Sequence, residues 1–299
     1  MKLVSIIIRT LNEARYLPEL LNVIKNQKTE SFKVEVVVID SGSTDNTVKI
    51  AQDFGCRITT ISKDSFTFGR SLNMGSEFAR GDILVYVSGH CIPTDDKWLL
   101  NLIDPLIYGI AGYSYGRQIG RDKTKFSERK IFEKYFPEES KIPQNGFFCN
   151  NANSAIDKKI WSEFKFNDQI SGLEDMELAK RFLEKNGKIA YISNASVFHI
   201  HDESWNQTLK RYEREAIALK QIVPEINISL TDMLRYICVS ITEDCKDSFQ
   251  EKSLRKHFFE IFKFRVAQYL GSYRGNNLTS ELSKKQKESY FYPSKKIED

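Results

Sequence analysis

Three of the chain's four histidines, His90, His199 and His201, stand at the ends of apolar runs. The stretch LVYVSGHCIP (84–93) closes a run on Ser88-Gly89-His90, and FHIHDESW carries the other two. An imidazole there can ligate a cation, move a proton or simply hydrogen-bond at a strand end. His199 and His201 are two apart on a predicted strand, so they share one face; two plain strand-end residues are the competing account. Asp40 ends the run VVVID ahead of Ser41-Gly42-Ser43. Its carboxylate lies where an acceptor for a base N–H or a ribose hydroxyl is useful, unless it caps the next helix, a task for which Asp45 competes. Thr10, Asn12 and Glu13 end the first run and line the same place, although Glu13 also suits the first turn of a helix. In SGLEDMEL a Ser171-Gly172 turn precedes Glu174-Asp175, which open a helix whose dipole is expected to keep both acids ionised. A carboxylate so placed can take a proton from an attacking hydroxyl.

These residues need a scaffold, and the hydrophobic pattern supplies one. LVSIII (3–8), VEVVVI (34–39), RITTI (57–61) and DILVYV (82–87) are short apolar runs. Helical stretches stand between them, such as ARYLPELLNVIKNQ with Leu17, Leu20, Leu21 and Ile24 on one face. STDNTVKIAQDFG reads as a helix capped by Ser43 or Thr44. Alternation of this kind predicts a parallel sheet with helices on both faces. After about residue 109 the pattern turns to mixed strands and loops. A helix closed by Gly187 and two strands, 188–192 and 195–201, complete it. From Trp205 the sequence is helical, charged and aromatic, and its Lys-rich end reads as loosely ordered. The expected division is 1–204 for the site-bearing domain and 205–299 for a helical extension with that tail.

With 299 residues and 41% hydrophobic content the chain can bury a large core. A net charge of +4 is too mild to make nucleic acid the expected partner. Five widely spaced cysteines without a C-x-x-C pair fit a reduced cytosol. The apolar stretch before Arg9 is shorter than a signal-peptide core, and no run approaches the roughly 18 apolar residues of a spanning helix. The expectation is a cytoplasmic protein, soluble or peripheral at the inner face of a membrane.

In order, VSIIIRTLNEARYLPELL, VVVIDSGSTDNT, the strand ending SGHCIP, and GLEDMELAKRF resemble the motif series of the family 2 glycosyltransferases. That series is T/Y-x-N-E, V-D-D-G-S-T-D, D-x-D and E-D. The resemblance covers residues 3 to 204 and implies the α/β GT-A fold, a Rossmann-like, mostly parallel sheet flanked by helices. It implies that Asp40 reads a nucleotide base, with Thr10, Asn12, Glu13 and Ser41 beside it. Arg70 and Asn73, in FGRSLNMG, fall where the family approaches ribose and diphosphate; a guanidinium fork suits phosphate, and a solvated helix arginine is the alternative. Asp175 takes the part of the general base, with Glu174 contacting acceptor or donor sugar.

The D-x-D position departs from the family. Ser88 stands at its first aspartate and His90 at its last, with Gly89 between. An imidazole still ligates Mn²⁺, while Mg²⁺ prefers oxygen and Ser88 is a poor replacement for a carboxylate. Two outcomes are expected: a cation held weakly by His90, donor phosphates and His199 or His201, or no essential cation. The acceptor implied is a glycan or lipid-linked glycan of bacterial surface polysaccharide. Phe147, Phe148, Asn150, Asn151, Asn153, Trp161 and Trp205 are its candidate contacts, and core packing accounts for the rings equally well. LRKHFFEIFKFRVAQYLGSYRGNN reads either as a contact with an anionic membrane or partner, or as an ordinary core helix. Two rival functions are a sugar-nucleotide pyrophosphorylase, against which the missing Gly-rich loop counts, and an inactive nucleotide-binding subunit, against which Asp175 counts.

Overall fold

The computed structural model describes residues 2–278 and 290–291. In chain order its elements are β1 (Lys2–Thr10), α1 (Leu17–Lys25), β2 (Phe32–Asp40), α2 (Thr47–Asp53), β3 (Arg57–Thr60), α3 (Phe68–Phe78), β4 (Ile83–Ser88), β5 (Cys91–Pro93) and α4 (Trp98–Ile107). There follow β6 (Tyr113–Ile119), α5 (Phe126–Tyr135), β7 (Asn153–Asp157), α6 (Lys158–Phe164), α7 (Glu174–Glu184), β8 (Ile189–His199), α8 (Trp205–Ile222), α9 (Leu230–Gln250) and α10 (Leu254–Asn276). The chain divides into two compact units. The first is Met1–Arg121, Phe132–Gln169 and Glu174–Ile200; the second is Asp122–Ile131, Ile170–Leu173 and the chain from His201 onward.

The first unit is an α/β layer structure around one sheet of order β3-β2-β1-β4-β7-β6-β8-β5. The β3-β2-β1-β4 half is parallel throughout, and β7 runs antiparallel to both β4 and β6. Ile6, Ile8, Val38, Val85 and Val87 are buried in one cluster with Leu17, Leu20 and Leu21 of α1 and Trp98, Leu99 and Leu102 of α4. This explains why β1 and β4 read as unbroken apolar runs rather than alternating ones: both of their faces are covered. Register then sets out the site. Thr10 lies opposite Asp40, Arg9 opposite Ser88, and Cys91 opposite His199.

Two local expectations are corrected. The two strands foreseen over 188–201 are one, β8, which runs through the exposed Asn194 and ends at His199. His201 therefore lies beyond the strand, and the shared strand face is lost. The helix foreseen from Ser43 or Thr44 begins at Thr47, because the Asp45 carboxylate takes the Thr47 N–H at 2.9 Å while Ser43 turns back to Asp40.

In the second unit α8 and α9 each start with a reciprocal capping box, Ser204 with Gln207 and Ser229 with Asp232. Helix α10 packs on α8 through Gly271 and Gly275: a β-carbon at Gly275 would come within 2.1 Å of the Glu213 carbonyl oxygen. Buried Arg265 grips Asp244 through two bonds of 2.7 Å, and Ser127 donates to the same carboxylate. Apart from Tyr290 and Phe291, the Lys-rich end lies outside the described residues. No described helix is long and apolar enough to cross a membrane.

Candidate active site

At the carboxyl edge of β1 and β2, Asp40 is buried and builds the loop that follows it. Its Oδ2 accepts the N–H groups of Gly42 at 2.9 Å and Ser43 at 2.8 Å, and its Oδ1 accepts from the hydroxyls of Thr10 and Ser43. Gly42 has φ 94°, a conformation that the tight turn requires and a side chain resists. Ser41 donates its hydroxyl and its N–H to the Thr10 carbonyl. Asn12 clasps the loop from the other side, donating its N–H to Ser43 Oγ and accepting the Thr44 N–H, both at 2.8 Å. The four residues Thr10, Asn12, Asp40 and Ser41 thus form one hydrogen-bonded ledge.

Glu13 leaves that ledge for the histidine. Its Oε1 is 2.7 Å from His90 Nδ1, and it fills the space where a β-carbon on Gly89 would meet its Cγ at 2.8 Å. Strand pairing of Cys91 with His199 brings the two rings together, stacked at 5.3 Å between centroids. His199 Nδ1 faces Gln118 Oε1 at 2.6 Å, a partner that no motif announced. Carboxylate and amide oxygens only accept, so each Nδ1 carries a proton, and a neutral ring would offer its Nε2 lone pair. That is the tautomer in which histidine ligates a cation. Nitrogen donors at this place fit Mn²⁺ or a later transition ion better than Mg²⁺. In the second unit His201 Nδ1 faces Glu128 Oε1 at 2.7 Å, and Arg211 reaches the same oxygen at 2.8 Å. Burial acts to raise the Glu128 carboxyl, but His201, Arg211 and Lys125 hold it down at about 2.

Arg70 and Asn73, both on α3, are engaged within the fold. Arg70 binds Asp168 with its Nε at 3.1 Å and the Ser65 carbonyl with a terminal nitrogen at 3.0 Å. The Asn73 amide donates to the Phe166 carbonyl and accepts from Phe166 N–H and Trp161 Nε1. Their side chains tie α3 to the 161–168 segment, a use that an amide and a guanidinium beside a loop serve as readily as phosphate binding.

Glu174 and Asp175 open α7 and are both buried. Asp175 Oδ2 accepts the Asn151 N–H and Oδ1 the Met176 N–H, each at 2.8 Å. Arg9 at the end of β1 stands 3.7 Å from Glu174, with its guanidinium 4.4 Å from the centre of the Phe68 ring. Burial first, and the Glu174 carboxylate second, push Asp175 up to about 7, against lowering by both N–H groups and Arg9. The expectation that the helix dipole keeps this acid ionised is thereby corrected: desolvation outweighs the dipole. The result is a carboxyl that exchanges its proton near neutrality, as a general base should.

Of the expected acceptor contacts, Asn153 and Trp161 are committed to structure, Asn153 accepting from Trp98 Nε1 at 2.9 Å. Phe148 packs with Tyr115, Tyr135 and Phe136. Asn151 stays beside Asp175: its side-chain oxygen accepts from Tyr113 and Ser154, and its N–H holds the Asp175 carboxylate.

A hydrogen-bonded ledge, a histidine pair and a buried acid pair stand at the carboxyl edge of a sheet with the α/β architecture of the GT-A glycosyltransferases. The family model for glycosyl transferase family 2 matches residues 5–164, and the chain belongs to that family. It is 26% identical over 222 residues to the O-antigen chain rhamnosyltransferase RfbN of Salmonella typhimurium, covering 70% of each chain. It is 25% identical over 259 residues to the glucosyl-3-phosphoglycerate synthase of Petrotoga mobilis, covering 77% of each. Among solved structures it shares its fold with the mannosyltransferase PcManGT of Pyrobaculum calidifontis, a complex with GDP-Man and Mn²⁺. There the TM-score is 0.62 at 14% identity, over 91% of this chain and 86% of that one. The Mycobacterium tuberculosis glucosyl-3-phosphoglycerate synthase with Mn²⁺ and UDP-glucose gives 0.56 at 17% identity, over 76% and 81%. Family membership removes the pyrophosphorylase alternative.

Proposed function

We propose that the chain transfers a hexosyl group, with inversion, from a nucleoside-diphosphate sugar to a hydroxyl of a glycan or lipid-linked glycan in surface-polysaccharide assembly. The buried Asp175, backed by the Asn151 N–H and raised toward neutrality, carries the reading. In this mechanism the acceptor oxygen attacks the anomeric carbon from the face opposite the diphosphate. Its proton passes to Asp175, and the electron pair of the breaking C–O bond leaves on the diphosphate. Glu174, paired with Arg9, is assigned to a sugar hydroxyl. The ledge of Thr10, Asn12, Asp40 and Ser41 is assigned to the nucleoside, with Ser88, Gly89, Arg70 and Asn73 bordering the ribose and diphosphate.

The names of the O-antigen rhamnosyltransferase relatives support the polysaccharide setting, and the Mn²⁺ in the solved neighbours supports a cation. Bound by His90 and either His199 or His201, that cation would offset the charge of the leaving diphosphate. The His90–His199 stacking favours His199. Contact with the inner membrane face through the helical extension belongs to the same reading.

Purified protein incubated with a panel of nucleoside-diphosphate sugars and acceptors tests it, with the product's anomeric configuration read by NMR. An α-linked donor should give a β-linked product, and Asp175→Asn should abolish transfer while still binding donor. A product of retained configuration, or a fully active Asp175→Asn, would overturn the mechanism. Alanine variants of His199 and His201, titrated with Mn²⁺, decide which of them joins His90.

A further inference from the structure

The second unit carries a surface that the chemistry of sugar transfer does not use. Helices α9 and α10 meet in a tight hairpin, closed by the Ser253 N–H on the Ser248 carbonyl at 2.8 Å and by Lys252 at φ 56°. From 252 to 263 the exposed residues are Lys252, Arg255, Lys256, Phe258, Phe259, Phe262 and Lys263: four cations and three phenylalanines, and no acid. Phe259 is 75% exposed and Phe249, in the last turn of α9, is 72% exposed. The opposite side of α10 is ordinary core, with Ile261 and Phe264 fully buried.

Neighbouring acids are turned elsewhere. Glu251 pairs with Arg129 and Lys130, and Glu260 accepts the Phe126 N–H. Lys252, Arg255 and Lys256 make no ion pair among the described residues. Residues 255, 259 and 262 follow helical spacing, so the rings and charges lie on one stripe.

We infer that this hairpin tip docks on an anionic lipid surface, its rings entering the headgroup layer and its cations meeting lipid phosphates. The inference rests on the proposed lipid-linked acceptor and names the face that would reach it. Large exposed rings flanked by cations are the composition of an interfacial helix, and each cation adds attraction to an anionic leaflet. A second copy of the chain is a poorer occupant, because a two-fold contact would bring eight like charges together.

Co-sedimentation with phosphatidylcholine vesicles, with and without about 30% phosphatidylglycerol, provides the test. Wild type should bind the anionic vesicles, release them at high salt and leave neutral ones largely unbound. Phe259→Ser with Phe262→Ser should lose binding about tenfold or more, and Lys252→Gln, Arg255→Gln, Lys256→Gln together about 10²-fold. The charge variant keeps the test decisive should the ring variant misfold. Equal binding to neutral vesicles, no binding to either, or tighter binding to a single-stranded oligonucleotide would overturn the inference. Donor binding is measured on the same preparations by calorimetry. If the vesicle result holds while wild type binds no nucleotide sugar, the transferase reading fails and the lipid surface stands; the reverse pattern rejects the surface alone.

Discussion

His90 donates from Nδ1 to Glu13 Oε1 across 2.7 Å, and the contact fixes which ring nitrogen is protonated. An orienting carboxylate of this kind also raises the basicity of the other nitrogen. Glu13→Gln keeps the volume that excludes a side chain at position 89 but removes the charge. Mn²⁺ affinity, measured by calorimetry with a nucleoside diphosphate present, should fall about tenfold, and His90→Ala should lose the response. Unchanged affinity in both variants would remove the pair from any cation site.

Asp40 supports the neighbouring loop with both carboxylate oxygens. Asp40→Ala leaves the Gly42 and Ser43 N–H groups short of an acceptor, at a cost of about 1–3 kcal/mol. Nucleotide affinity should fall along with thermal stability. A variant with a lowered melting temperature and wild-type affinity would make Asp40 a loop support only.

Much of this was legible in the residues. β1, β4 and the end of β2 are apolar runs because both faces are covered there, and the polar residue that ends each run marks the sheet's carboxyl edge. The acid pair was legible because it opens a helix after a turn. The partners were not. Gln118 on His199 and Asn151 on Asp175 come from 81 and 24 residues away, and nothing in their local pattern marks them. Arg70 and Asn73 show the converse, since side chains suited to phosphate suit a carboxylate or a carbonyl equally well. The raised Asp175 was hidden for a related reason: dipole and sequence position are local, while burial is a property of the whole fold.

Asp175 gives activity and stability opposite slopes in pH. As a base it must be ionised, so turnover should fall about tenfold per unit as pH drops below about 7. Its folded value lies above the unfolded value near 4, so between the two the native state holds a proton that the unfolded state has lost. Its contribution to stability is therefore greatest at low pH and is lost as pH rises toward 7. Asp175→Asn removes that titration while leaving one N–H without an acceptor. The variant's melting temperature relative to wild type should rise from pH 5 to pH 8, whatever its starting offset. A constant difference would mean that Asp175 titrates alike in both states.

Arg9 is the remaining cation of the acid pair, 3.7 Å from Glu174 and among the groups that lower Asp175. Arg9→Met preserves an unbranched stem over Phe68 and deletes the charge. Without that cation the buried Asp175 should hold its proton to higher pH. The acid limb of the turnover profile should move up by about one unit, so activity at pH 7 falls severalfold and recovers toward pH 9. Arg9→Lys keeps the charge on a different geometry and should leave the limb nearly in place. A profile that keeps its midpoint and only loses height in Arg9→Met would show that Arg9 acts on substrate rather than on the base.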